Sequence, residues 1–280
     1  MKTFAILSYN RTGSTVVGQA LAQVLDLKQP RSGGKYCGEI TNISTVLMRF
    51  DENGRDVNVP YKLPLPEGTY VKTYDQIDGF VQRRKMYDNP KPFEMGSERY
   101  LQEVKKRSQL LRQNVANKHK SLFKIQTKTF VKYFNDTSLL DGYSFIFCAR
   151  RDAREQILSN LVMKNTHIMH IGFEDHILDL PTFEVKKYHY EYYVEALKDT
   201  IQLFEHYRKQ GQIHNIIHYE DWQNDAEQIL PLLGYDKQPV HTFKKIKYKQ
   251  GHKGNLVNNL EEVYEWFKGD EDILDYQYTL

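Results

Sequence analysis

Residues 4–21 run through a short apolar segment, a polar turn containing Gly13, and a segment with helical apolar periodicity. That order reads as a strand, a tight loop and a helix, and it constrains the fold more than any other stretch. The loop Arg11-Thr12-Gly13-Ser14-Thr15 would feed a helix N-terminus, where unpaired backbone N–H groups and the positive end of the helix dipole favour phosphate-like anions. Arg11 adds a fixed charge with forked donors, and Thr12, Ser14 and Thr15 add hydroxyls. Two readings stay open at this point. One is a binding loop for a phosphorylated or sulfated nucleotide. The other is a plain turn, in which Gly13 permits the bend and Ser14 and Thr15 cap the helix. A Walker A loop is disfavoured, because Ser8 stands where the first Gly would be and Ser14 where the Lys would be.

A second strand–loop–helix follows the same plan. Tyr143–Ala149 is the strongest strand signal in the chain, rich in aromatic and apolar residues. It runs into Arg150-Arg151-Asp152 and a helix to about residue 162. Asp152 suits the N-cap, and Glu155 completes a capping-box pattern. Between the two units a helix is expected at 16–27 and a helix with a solvated basic face (Lys105, Lys106, Arg107, Arg112, Lys118) at 98–118. A strand is expected at 121–125 and a turn at Asp141-Gly142. Downstream, 183–210 reads as a long helix with Tyr193, Leu197, Ile201 and Phe204 on one stripe, ended by Gly211. A strand at 213–219, the turn Glu220-Asp221-Trp222 and a helix at 226–233 complete the pattern. Strands alternating with helices predict an α/β fold with a mostly parallel sheet flanked by helices. The expected organisation is one domain over 1–280, with an irregular, Pro- and aromatic-rich excursion or cap at about 51–120.

Composition narrows the class. Hydrophobic residues make up 40% and charged residues 27%, which is globular. A net charge of +3 suits an anionic ligand without indicating nucleic acid. Two cysteines, Cys37 and Cys148, do not build a disulfide framework, and Cys148 reads as a buried small hydrophobe. His167, His170 and His176 lack the Cys or carboxylate partners of a zinc set, so no metal is expected. The apolar start is too short for a signal peptide, and no run reaches the roughly 18 residues of a membrane span. The chain is therefore expected to be soluble and cytoplasmic, with no nucleic-acid partner.

Ligands in open parallel sheets sit at the carboxyl ends of the strands, where both cationic loops fall. Two such loops on one edge suggest one ligand with two anionic groups. At this point the motifs resemble those of the sulfotransferases that use 3′-phosphoadenosine-5′-phosphosulfate (PAPS), whose nucleotide-binding architecture is P-loop-like. Arg11-Thr12-Gly13-Ser14-Thr15 resembles their 5′-phosphosulfate loop. Arg151 with Ser159, eight residues later, resembles their 3′-phosphate motif. Softer similarities are Ile217 to Trp222 with the segment after it, and Lys249 to Gly254, which resembles a Lys-Gly loop closing over the cofactor. The cytosolic subgroup's Lys-Thr-His run is absent: Lys124-Ile125-Gln126-Thr127 stands there instead. Tyr36-Cys37-Gly38-Glu39 resembles a Gly-Glu turn of bacterial carbohydrate sulfotransferases.

The resemblance implies transfer of a sulfuryl group from PAPS to a hydroxyl or amine acceptor, of small-molecule or carbohydrate class, leaving 3′,5′-adenosine bisphosphate and requiring no metal. It implies Arg11, Glu39 and Lys124 as catalytic, with Glu39 as base, and Arg11, Thr12, Gly13, Ser14, Thr15, Arg151, Ser159, Lys253 and Gly254 as cofactor ligands. Arg11 cannot give up its proton at neutral pH, so its role is electrostatic. The alternatives are a P-loop-like kinase and a non-catalytic nucleotide-binding protein on the same scaffold.

Overall fold

The computed structural model describes residues 3–14, 17–18, 81–83, 96, 98–116, 123–166, 168–171, 177–178, 180–224 and 247–280. In chain order the elements are β1 (Thr3–Ser8), β2 (Val81–Arg83), α1 (Glu98–Ala116), β3 (Phe123–Gln126), α2 (Thr127–Tyr133), β4 (Tyr143–Ala149) and α3 (Ala153–Thr166). There follow β5 (Ile168–Ile171), β6 (Ile177–Leu178), α4 (Lys187–Lys209), β7 (Ile213–His218), α5 (Tyr219–Asn224), β8 (Lys247–Tyr248), α6 (Leu260–Gly269) and α7 (Glu271–Leu274). The expected helices at 16–27 and 226–233, and the 51–80 part of the excursion, lie outside the described residues, apart from helical backbone at Val17 and Gly18.

The expected α/β fold is present. Four strands, β1, β3, β4 and β7, form a sheet in the order β3-β1-β4-β7, with every neighbouring pair parallel. All seven residues of β4 are buried, as expected for a strand near the centre of a parallel sheet covered on both faces. Register aligns the carboxyl ends: Ser8 lies opposite Gln126 and Cys148, and Ala149 lies opposite His218. Whatever follows β1, β4 and β7 therefore emerges on one edge.

Helix α4 spans the two main hydrophobic clusters. Its C-terminal half meets the sheet, with the Phe147 and Phe204 rings 4.7 Å apart and Phe145 and Tyr207 4.9 Å apart. Tyr278, near the C-terminus, inserts beside them at 4.8 Å from Phe147. The N-terminal half packs Tyr190, Tyr193 and Leu197 against Tyr9, Ala153 and Ile157 and against Val263 and Phe267 of α6. Each fully buried aromatic of this kind is worth about 1.5–3 kcal/mol. Among the described residues no helix is long and apolar enough to cross a membrane.

Three local expectations are corrected. Helix α4 begins at Lys187, not 183, because residues 183–185 are held extended by the chain near the C-terminus. Phe183 N donates to Leu256 O at 2.8 Å, and the Asn259 side chain accepts from Val185 N at 2.8 Å and donates to Val185 O at 3.0 Å. Tyr219 opens α5 instead of closing β7. The basic face of α1 is not uniformly solvated, since Arg107 is buried against Glu103 at 2.8 Å.

The turn before β4 has little tolerance. Gly142 has φ +80°, and a Cβ there would lie 2.7 Å from Val115 Cγ1 of α1. Gly211 has φ +68°, with no described atom within 4 Å. Gly142→Ala should therefore cost about 2–4 kcal/mol, from left-handed backbone plus overpacking, and Gly211→Ala only about 1 kcal/mol. Urea denaturation of the two variants checks the ranking.

Candidate functional site

The first loop leaves β1 through a series of locks. The buried Tyr9 hydroxyl donates to Tyr193 O at 3.0 Å, Thr12 Oγ1 donates to Tyr9 O at 3.0 Å, and Gln156 Nε2 donates to Asn10 O at 2.6 Å. Arg11 and Gly13 both take left-handed backbone, at φ +65° and +69°. For Gly13 this is free of strain; for Arg11 it costs about 1–2 kcal/mol, and strain of this sort is tolerated where the surroundings enforce it. Helical backbone begins at Ser14, with Val17 N bonded to Gly13 O at 3.1 Å. The turn thus delivers first-turn N–H groups, which have no intrahelical partners, to the carboxyl edge. Thr12 and Ser14 are buried, and the Thr12 hydroxyl proton is committed to Tyr9. Thr12 therefore has only its backbone N–H to offer as a donor at that edge. Thr15 lies outside the described residues.

The second loop is built by its cap. Asp152 Oδ1 accepts from Glu155 N at 2.8 Å, starting α3 as expected. The reciprocal half of the capping box is missing, because the Glu155 carboxylate turns instead to Lys253 Nζ at 2.6 Å and His252 Nε2 at 3.2 Å. Residue 159 then falls on the face of α3 that meets the first loop, and Arg11 Nε donates to Ser159 Oγ at 3.1 Å across 148 residues of sequence. The Ser159 O–H has no acceptor among the described residues, which leaves it able to donate to an anion.

Arg151 sits elsewhere than alongside Ser159. Its backbone N–H donates to Glu220 Oε2 at 3.0 Å, and its half-exposed guanidinium meets Asp221 Oδ2 at 2.5 Å. The Tyr219-Glu220-Asp221 turn therefore clamps the second loop. An exposed pair like this is worth at most about 1 kcal/mol, so an anion can compete for Arg151. Gly254 closes the Lys253 turn, its N–H donating to His252 Nδ1 at 3.0 Å. Lys124 is buried in register with Ile6, two residues before the end of β3, and Glu39 lies outside the described residues.

Electrostatics mark the edge as short of negative charge. Burial is the main influence that pushes the Lys253 ammonium down to about 8; repulsion from Arg150 and Arg11 adds to it, and Glu155 opposes it. Burial alone would raise the Glu155 carboxyl, but the hydrogen bond and charge of Lys253, with His252 and Arg150, hold it below its ordinary value. Lys253, His252 and Arg150 thus surround one carboxylate, and Arg11 adds to the positive charge around Lys253. By contrast, an open hollow of about 420 Å³ at the amino edge, lined by residues such as Asp141, Tyr143 and Gln212, carries no cation. Among the described residues no cluster of His, Cys, Asp and Glu could hold a metal ion.

Sequence reasoning missed the Glu155–Lys253 pair and Gln156, and left open whether Arg150 faces the other side of the sheet or assists the phosphate. Only Lys253 carried a signal, through the Lys-Gly resemblance. No family model, curated protein or solved structure matches the chain.

An anion bound at this edge would have an affinity that follows the charge of Lys253. A lowered lysine is charged below about 8 and neutral above it, and an anion favours the charged form. Affinity for 3′,5′-adenosine bisphosphate should therefore be highest below about pH 8 and fall through pH 8–9. In the free protein the sign is opposite: the unfolded chain holds the proton up to about 10.5, so stability attributable to Lys253 rises as pH climbs from 8. Calorimetric titration from pH 7 upward checks the first trend, and Lys253→Gln should flatten it.

Proposed function

We propose that this chain is a PAPS-dependent sulfotransferase, transferring a sulfuryl group to a hydroxyl-bearing acceptor of carbohydrate class. The observation that carries the reading is the Arg11–Ser159 hydrogen bond, 3.1 Å long, which joins the two resembling motifs into one edge. The donor set suits a nucleotide with two separate anionic groups. The Arg11 loop offers a guanidinium, helix-start N–H groups and, through α3, the Ser159 hydroxyl, and the second loop adds further cations at the same sheet edge.

PAPS, when bound, supplies an activated sulfuryl group whose departure leaves growing negative charge on a phosphate oxygen. Arg11 keeps its proton throughout and meets that charge with a fixed one, beside the helix-start N–H groups of its own loop. Anchoring Arg11 to Ser159 fixes the guanidinium before the ligand arrives, so little reorganisation is needed at the moment of transfer. The acceptor hydroxyl forms its bond to sulfur as it loses a proton, and Glu39 is the proposed base. Lys124, buried inside the sheet, is proposed to stabilise the sulfuryl group from below the loop.

Thermal denaturation with nucleotides tests the reading. At about a hundredfold excess over its dissociation constant, 3′,5′-adenosine bisphosphate should stabilise the chain by roughly 2.7 kcal/mol, and ATP with Mg²⁺ by much less. Arg11→Ala should remove most of the shift. A larger response to Mg²⁺-ATP would favour a kinase, and equal responses to the bisphosphate and to adenosine 5′-monophosphate would overturn the PAPS assignment.

A further inference from the structure

Arg150 is the cation whose position the two-motif scheme does not use. It follows β4 directly, and its side chain is only 11% exposed. Yet no N–H of its guanidinium makes a hydrogen bond among the described residues, and its Nε is sealed from solvent without an acceptor. Its contacts are electrostatic: Glu220 Oε1 lies 3.4 Å from Nε, outside hydrogen-bond geometry, and the guanidinium carbon sits 4.6 Å from the centre of the Tyr219 ring. Glu220 is shared, since its other oxygen takes the Arg151 N–H. A guanidinium carries five donors, and nearly buried donors without partners are rare enough to demand a reason.

The neighbours supply one. The Lys253 side chain is also only 11% exposed, its Nζ is held 2.6 Å from Glu155, and Glu155 belongs to the first turn of the helix that Arg150 precedes. Glu220 pairs with Arg150 and Glu155 with Lys253, and Arg150 also acts on Glu155, so two nearly buried cations draw on neighbouring carboxylates. Arg150 and Arg11 both press on Lys253, so the group lacking from this arrangement is an anion and not another cation. Arg151, whose resemblance would give it the leading role, is half-exposed and already carries Asp221.

We propose that Arg150 and Lys253 together form the subsite for the second anionic group of the nucleotide, a phosphate-type dianion on its ribose, while Arg151 frames that subsite through Asp221. The proposal rests on the nucleotide reading above and adds to it a residue and a division of labour. A planar guanidinium accepts a phosphate in a bidentate grip, and the ammonium serves as the point charge beside it. Stacking on Tyr219 orients the fork without using any of its donors.

Calorimetry on the full chain decides the matter, using 3′,5′-adenosine bisphosphate and adenosine 5′-monophosphate as paired probes. Arg150→Gln should reduce the preference for the bisphosphate about tenfold or more, leaving affinity for the monophosphate within about twofold. Arg151→Gln should reduce the preference less than about threefold. The assignment is overturned if Arg151→Gln abolishes the preference and Arg150→Gln does not, or if Arg150→Gln weakens both probes alike. A wild-type chain without any preference would overturn the nucleotide reading itself, and this subsite with it. Should Arg150→Gln fail to fold, the Arg150 Nε–H resonance of the wild-type chain gives the answer: it should shift with the bisphosphate and not with the monophosphate, and equal shifts contradict the proposal.

Discussion

The attachment of one helix to one loop organises the functional edge. Gln156 and Ser159 of α3 reach across to the backbone of Asn10 and the side chain of Arg11, with contacts of 2.6 and 3.1 Å. Neither could form without the parallel pairing of β1 with β4, which brings the two loops to neighbouring strand ends. Nor could they form without the Asp152 cap, which sets where α3 starts and so which of its residues face the first loop. The left-handed backbone at Arg11 is the local cost of this attachment.

The C-terminal segment is the second support. Asp275 pairs with Arg154 at 2.5 Å, Tyr190 donates to Asp270 at 2.8 Å, and Tyr278 fills the core between Phe147 and Phe204. The turn carrying His252 and Lys253 precedes this segment and is fastened to α3 through Glu155. Residues separated by about a hundred positions therefore share one carboxylate at the edge. The charge pattern follows: α3 contributes acceptors at its start, the loops contribute cations, and the cations predominate where a ligand would sit.

Much of this was legible in the residues themselves. The unbroken apolar run Tyr143–Ala149 announced a buried strand because nothing in it could face water, and it is buried throughout. Asp152 three residues before Glu155 announced a cap, and the cap is there. The stripe on α4 and the stop at Gly211 followed from helical period and positive φ. What escaped reading depends on partners distant in sequence. Local sequence predicts that Glu155 closes its own cap, because nothing nearby reveals that Lys253 arrives to take it. Helix α4 starts four residues later than its local propensity predicts, because an extended pairing with Leu256 and Asn259 competes with that propensity. Arg107 on α1 looks like any surface cation until the fold buries it, and the side to which Arg150 turns after β4 is set by Glu220 and Tyr219, far along the chain. Among the proposed reacting groups, Glu39 rests on resemblance alone.

The account's central claim is that the two loops act on one ligand as a unit, coupled through Arg11 and Ser159. A double-mutant cycle reads that coupling directly: affinity for 3′,5′-adenosine bisphosphate in the wild type, Arg11→Ala, Ser159→Ala and the double variant. The account predicts that the two losses are non-additive by about 1 kcal/mol or more, because each substitution removes part of what the other holds in place. Losses that add to within about 0.3–0.5 kcal/mol would mean that the loops act independently, and would contradict it.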